Sequence, residues 1–164
     1  ETWSAAAPHG YVAQLIDHFN FSITDLNPEY PASFAFAGAK HLIVALSDHR
    51  TLSTMSYAFE PVKELMRRED LTTINLIWVE SGRTIYSRNP FPPGGVYEDP
   101  ATGAAAAALA GYLRDIRWPG ERRFEIFQGQ DMGIPSRLMV RFTDQKGGRV
   151  QVSGETRIIL ETDD

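Results

Sequence analysis

Glu98-Asp99-Pro100-Ala101-Thr102-Gly103-Ala104-Ala105, running on through alanines to Leu113, decides how this chain is read. A charged turn feeds a run from Ala104 to Leu109 that carries no charge on any face. Asp99 is a candidate N-cap, and Pro100 fits the first helical position, where a missing N–H costs nothing. A helix apolar all round must be buried or span a membrane. This one falls short of the roughly 20 residues a span needs, so it is predicted to lie in the middle of a domain. Its start would carry the unpaired N–H groups of Gly103 and its neighbours, at the positive end of the helix dipole. Such an end receives carboxylates and phosphates, and Gly103, without a side chain, lets a ligand approach the backbone closely. The plain alternative is a buried helix with an acidic cap and no ligand.

Outward from this helix the pattern is strands with a few amphipathic helices. Val12, Leu15, Ile16 and Phe19 recur at helical spacing, which predicts a helix over about Pro8–Asn20. Phe34–Phe36 and Leu42–Leu46 read as strands around a turn at Gly38, and Ser56–Arg68 as a second helix. Thr73–Val79 and Thr84–Ser87 alternate as a hairpin around Ser81-Gly82. Arg88–Tyr97 is a Pro/Gly loop leading into the central helix. Beyond Trp118-Pro119-Gly120 come short strands at Phe124–Gln128, Leu138–Phe142, Arg149–Ser153 and Thr156–Leu160. Sheet-rich sequence around two or three helices is an α+β pattern in a single domain spanning 1–164.

Composition narrows the chemistry. The 164 residues carry a net charge of −5 and no basic stripe, which argues against nucleic acid. Arg122-Arg123 and Arg67-Arg68 read as solvated surface. No cysteine is present, so disulfides, zinc–thiolate sites and a cysteine acid/base pair are excluded. His9, His18 and His49 share no ligand spacing, so no metal site is expected. No signal peptide or spanning segment is read, and a cytoplasmic protein without membrane partners is expected.

The motifs carry a resemblance. Glu98-Asp99-Pro100-Ala101-Thr102-Gly103, preceded by Arg88-Asn89-Pro90-Phe91-Pro92-Pro93-Gly94-Gly95-Val96-Tyr97, resembles the C-terminal-half signature of the PhzF-like phenazine-biosynthesis family. Gly38-Ala39-Lys40-His41-Leu42 resembles the family's Gly-x-x-His-Leu strand. Gln128-Gly129-Gln130-Asp131-Met132-Gly133-Ile134-Pro135-Ser136 resembles its Gln-Gly-x-x-Met-Gly-Arg-Pro-Ser turn, and Arg149–Leu160 its closing hairpin. The resemblance implies one half of a diaminopimelate epimerase-like fold, a curved, mostly antiparallel sheet around a central apolar helix, with the active site between two such halves. It implies cofactor-free isomerase or epimerase chemistry, moving a proton on a small amino or hydroxy acid or a cyclic carbon acid. The family's catalytic glutamate and its partner histidine belong to first-half motifs that do not occur here. These residues are therefore expected to be a fragment, inactive alone, that works with a missing N-terminal half or a second subunit. A homo-oligomer, a dimer, is expected.

Asp99 is the candidate catalytic residue, placed by the resemblance beside a carboxylic-acid substrate. A negative charge is favoured at a helix start, which suits a hydrogen-bond acceptor better than a general acid. Gly103, Ala104 and Ala105 would offer backbone N–H groups to a carboxylate or developing oxyanion. Glu98 could join them or face solvent. Arg88 could pair with the substrate carboxylate in a bidentate fashion, or form a structural salt bridge. His41, in an apolar strand, reads as a core histidine. Where the family usually has Ser after Thr-Gly, this chain has Ala104. The missing hydroxyl favours a rival reading: a non-catalytic member that binds a small molecule or another protein.

Overall fold

In the computed structural model, residues 1–154 are described. The expected strand Thr156–Leu160, and with it the end of the Arg149–Leu160 stretch, lies outside the described residues. In chain order the elements are β1 (Trp3–Ala6), α1 (His9–Asp17), β2 (Ser33–Phe36), β3 (Lys40–Ala45), α2 (His49–Ser53), α3 (Phe59–Arg68), β4 (Thr73–Val79), β5 (Thr84–Pro90), β6 (Glu98–Asp99), α4 (Gly103–Asp115), β7 (Arg123–Gln128), β8 (Ser136–Arg141) and β9 (Gln151–Gly154). The nine described strands form one curled sheet in the order β1-β2-β3-β4-β5-β7-β8-β9, with β6 paired to β5. Only β3–β4 and β5–β7 run parallel; the other described pairs are antiparallel. This is the α+β, curved-sheet architecture that the sequence leads one to expect.

Strand alternation sorts the side chains onto two faces. On the inner face Ile43, Ala45, Ile77, Ile85, Phe124, Ile126 and Val140 close around α4. On the outer face Leu42, Val44, Ile74 and Leu76 pack under Leu15 and Ile16 of α1 and Val62, Leu65 and Met66 of α3. The apolar sequence of α4 is explained by this position. Leu109 and Leu113 are wholly buried, and each such leucine is stabilised by roughly 2 kcal/mol relative to an exposed one. The hydroxyl of Tyr112, also wholly buried, donates to the carbonyl of Pro31 at 3.0 Å. Burial pushes that hydroxyl's pKa upward, so it stays a donor.

Three local expectations are corrected. Helix α4 begins at Gly103, not at Pro100, and its N-cap is Thr102 rather than Asp99. Asp99 is drawn instead into the short strand β6 by pairing with Asn89. The expected helix Ser56–Arg68 starts only at Phe59, after a separate helix α2 whose N-cap, Asp48, accepts the Thr51 N–H at 2.9 Å. Strand β1 carries too little apolar alternation to be read from the sequence, yet it pairs with β2 along four residues.

Candidate functional site

The start of α4 emerges at one end of the curled sheet. Gly103 and Ala104 are exposed, while Ala105 and Ala106 are already buried. Among the described residues no side chain caps this helix, and no hydrogen bond engages the N–H groups of Gly103, Ala104 or Ala105. A Cβ placed on Gly103 would meet nothing within 4 Å, so the space beside Gly103 is open.

Asp99 sits one turn before this point. Its Oδ2 accepts the Thr102 hydroxyl at 2.7 Å, and its Oδ1 accepts the Ala101 N–H at 3.4 Å. Gln128, at the end of β7, locks the turn. Its Oε1 accepts the Thr102 N–H at 3.2 Å, while its Nε2 donates to the Asp99 carbonyl at 2.6 Å and the Thr102 hydroxyl at 3.0 Å. Ser136, opposite Gln128 on β8, donates to the Pro100 carbonyl at 2.7 Å. Between them Gly129 has φ +81°, and a Cβ there would stand 2.2 Å from the Ile134 carbonyl oxygen and 3.0 Å from that of Pro100. The Gln128–Ser136 turn is thus the mould in which the Asp99–Thr102 turn is held.

A buried polar band continues from this turn across the inner face. Asn75 donates to the Ala105 carbonyl at 3.4 Å and accepts the Ser87 hydroxyl at 2.7 Å. Asn89 donates to Ser87 at 2.9 Å and accepts the Thr73 hydroxyl at 3.0 Å. At the far end His41 Nδ1 lies 2.8 Å from Thr73 Oγ1. Because the Thr73 proton is committed to Asn89, Nδ1 carries the hydrogen and Nε2 is a lone pair, which has no partner among the described residues. A proton on Nε2 would be buried without an acceptor, and burial lowers the His41 pKa to about 4. His41 is a core histidine.

The residues singled out from sequence fall into two groups. Asp99, Gly103, Ala104 and Ala105 come together at the α4 start. Arg88 and Glu98 form a pair of their own, with Nε to Oε1 at 2.9 Å and Nη2 to Oε2 at 2.6 Å. Both are buried, and Arg88 Nη1 also donates to the Leu52 and Ser53 carbonyls at 3.3 and 2.9 Å. Burial works against the Arg88 charge, but Glu98, with Asp131 and Tyr97, together outweigh it and the net shift is upward. Sequence reasoning quoted Thr102, Gln128, Ser136 and Asn89 within motifs without giving their side chains a role, and gave none to Asn75 and Ser87. A signal for the last group was present. Thr73 and Asn75 share strand parity with Ile77 and so place polar groups on the face that contacts α4. Among the described residues, no group of three or more His, Asp or Glu could hold a metal ion, and no helix is long and apolar enough to cross a membrane.

Comparison with known proteins adds a family. Residues 8–162 match the phenazine biosynthesis-like protein family, PhzC-PhzF. The chain is 33% identical over 135 residues to the trans-2,3-dihydro-3-hydroxyanthranilate isomerase of Pseudomonas aeruginosa, covering 80% of this chain and 47% of that protein. It is 33% identical over 156 residues to the isomerase of the same name from Pseudomonas chlororaphis, covering 93% and 52%. The fold superposes on a Bacillus anthracis phenazine biosynthesis protein of the PhzF family with a TM-score of 0.74 at 18% identity, covering 92% of this chain and 53% of that one. The chain therefore spans about half the length of the curated relatives it matches.

Proposed function

The chain belongs to the phenazine biosynthesis-like family, and from that premise we propose that it is the C-terminal half of a cofactor-independent isomerase acting on a small carboxylic acid. The observation that carries this reading is the set of N–H groups at Gly103, Ala104 and Ala105 that no hydrogen bond engages among the described residues, with open space beside Gly103 and the Asp99 turn just before it. Three convergent N–H groups at a helix start suit a carboxylate or the enolate-like oxygen that develops when a neighbouring carbon loses a proton. Asp99 has both oxygens engaged by its own turn, Oδ2 by Thr102 and Oδ1 by Ala101. Each carboxylate oxygen keeps a second lone pair, so Asp99 can accept a hydrogen bond from a substrate hydroxyl or ammonium without leaving its turn. The proton-abstracting base comes from a second half, which closes over the exposed α4 start. Val96, Tyr97 and Ile134, on the two loops that border the site, are exposed and offer that half an apolar rim.

Ala104 favours a second reading, a family member that binds its ligand without turning it over. The backbone at Ala104 still offers an N–H, but its methyl group offers no hydroxyl. One experiment separates the two. The natural full-length protein is incubated in deuterium oxide with small α-amino and α-hydroxy acids and with trans-2,3-dihydro-3-hydroxyanthranilate, and deuterium gain at carbon is followed by mass spectrometry. Cofactor-free exchange or isomerisation of one of these acids supports the isomerase. Saturable binding with no exchange supports the binding protein, and neither outcome with any acid overturns both. Residues 1–164 alone should show no turnover.

A further inference from the structure

We propose that Arg88 and Glu98 are positioning residues, which with Tyr57 and Tyr97 tie the strand bearing Asp99 to the α2–α3 connection. This rests on the reading that Asp99 meets the substrate. Strand β6 is two residues long and pairs only with Asn89 and Pro90. Backbone pairing alone therefore holds Asp99 weakly. The residues immediately before it are held from elsewhere. Glu98 lends both carboxylate oxygens to Arg88, whose third nitrogen reaches the Leu52 and Ser53 carbonyls. Tyr97 stacks on Tyr57 at 4.2 Å between ring centroids, its hydroxyl accepts the Tyr57 N–H at 2.8 Å, and its carbonyl accepts the Tyr57 hydroxyl. Burial pushes the Tyr57 hydroxyl's pKa upward, so it remains a donor. Two consecutive residues are thus clamped to one six-residue stretch, 52–57, which ends α2 and leads toward α3, and the next residue is Asp99.

The same geometry separates this pair from the ligand. The side chains of Arg88 and Glu98 are 9% and 2% exposed and already saturate one another. Arg88 lies on the sheet face opposite Asn89 and Gln128, which face α4. A bidentate arginine–carboxylate pair fixes orientation as well as distance, which is what a two-residue strand lacks.

The test uses the natural full-length protein with Glu98→Gln and, because a buried pair is risky to break, Tyr57→Phe, which removes only one hydroxyl. Amide exchange is read by mass spectrometry on peptides covering 96–105 and, as control, on α1 and β3. With a substrate found as above, kcat and KM are measured on both. Glu98→Gln should speed exchange in 96–105 but not in the controls, and lower kcat about tenfold with KM unchanged, since small misplacements act on the transition state. Tyr57→Phe should move the same two readouts in the same direction, by about threefold. A raised KM at unchanged kcat would mean that the pair touches the ligand and would overturn the proposal, as would exchange in 96–105 and kcat both at wild-type values. If the wild-type protein turns over no acid, it is the isomerase reading that fails, and the exchange of 96–105 alone decides whether the clamp holds the strand.

Discussion

Gln128 and Thr102 hydrogen-bond one another reciprocally: the Thr102 N–H donates to Gln128 Oε1 at 3.2 Å, and Gln128 Nε2 donates to Thr102 Oγ1 at 3.0 Å. One side chain on β7 thereby satisfies both the backbone N–H and the hydroxyl of the N-cap residue of α4. Gln128→Ala would leave the buried Thr102 N–H unpaired, while the Asp99 carbonyl keeps its ladder partner Asn89. A buried group left without its partner costs about 1–3 kcal/mol, so urea unfolding of the variant should show a loss of about that size. Gln128→Glu should cost at least as much, because its buried carboxylate would face the Asp99 carbonyl oxygen to which Nε2 now donates.

Gly129 should be the least replaceable glycine of the site. At φ +81° a side chain is already disfavoured, and the Cβ would collide with the Ile134 carbonyl, which is backbone and cannot swing aside. Gly129→Ala should lower stability by about 2 kcal/mol or more. Gly103→Ala, placed in open space, should leave stability unchanged or slightly raised, the thermal midpoints of the two variants giving the comparison.

Acid should weaken the fold through His41. Its pKa drops from 6.5 to about 4 on folding because the ring is buried. Between these values the unfolded chain binds a proton that the folded one refuses, so the contribution is present in full above pH 6.5 and is lost as pH falls toward 4. The loss amounts to roughly 3 kcal/mol at the lower limit. Denaturant titrations at pH 7 and 4.5 should show it, and His41→Gln should flatten the difference even if it is less stable at pH 7.

Asp99→Asn keeps the size of the side chain and one oxygen for the Thr102 hydroxyl, and removes the charge. Stability should fall by no more than about 1 kcal/mol, the scale of a lost local cap-type bond. Turnover of the full-length protein should fall far more than affinity does. Unchanged turnover alongside lost stability would reduce Asp99 to a fastener of its turn.

How much of this was legible in the sequence differs from residue to residue for physical reasons. Helix α4 could be read because a run apolar on every side has one place to go in a protein of this kind. Its first residue could not, since Asp99 satisfies the local rules for a cap and only its pairing with Asn89, ten residues back and across a loop, takes it away. The polar band was hidden in plain alternation: Thr73 and Asn75 look like the solvent side of a strand until α4 is known to cover that side. Arg88 and Glu98 were both noticed, but a salt bridge and a substrate clamp use the same groups, and burial from the α2 side decides where they point. The Gln128–Ser136 motif was seen as a turn. Its second role, as the mould for another turn, exists only when β7 lies beside β5.

The site stands or falls on whether a carboxylate meets the N–H groups at the start of α4. The direct measurement is a nitrogen–proton correlation spectrum of the full-length protein, titrated with a small carboxylic acid that it binds. The amide resonances of Gly103, Ala104 and Ala105 should shift saturably, and Gly103→Val should abolish binding with little change in the thermal midpoint, since its Cβ enters open space. Saturable binding that leaves these three amides unmoved, or that survives Gly103→Val, would contradict the placement of the ligand at this helix.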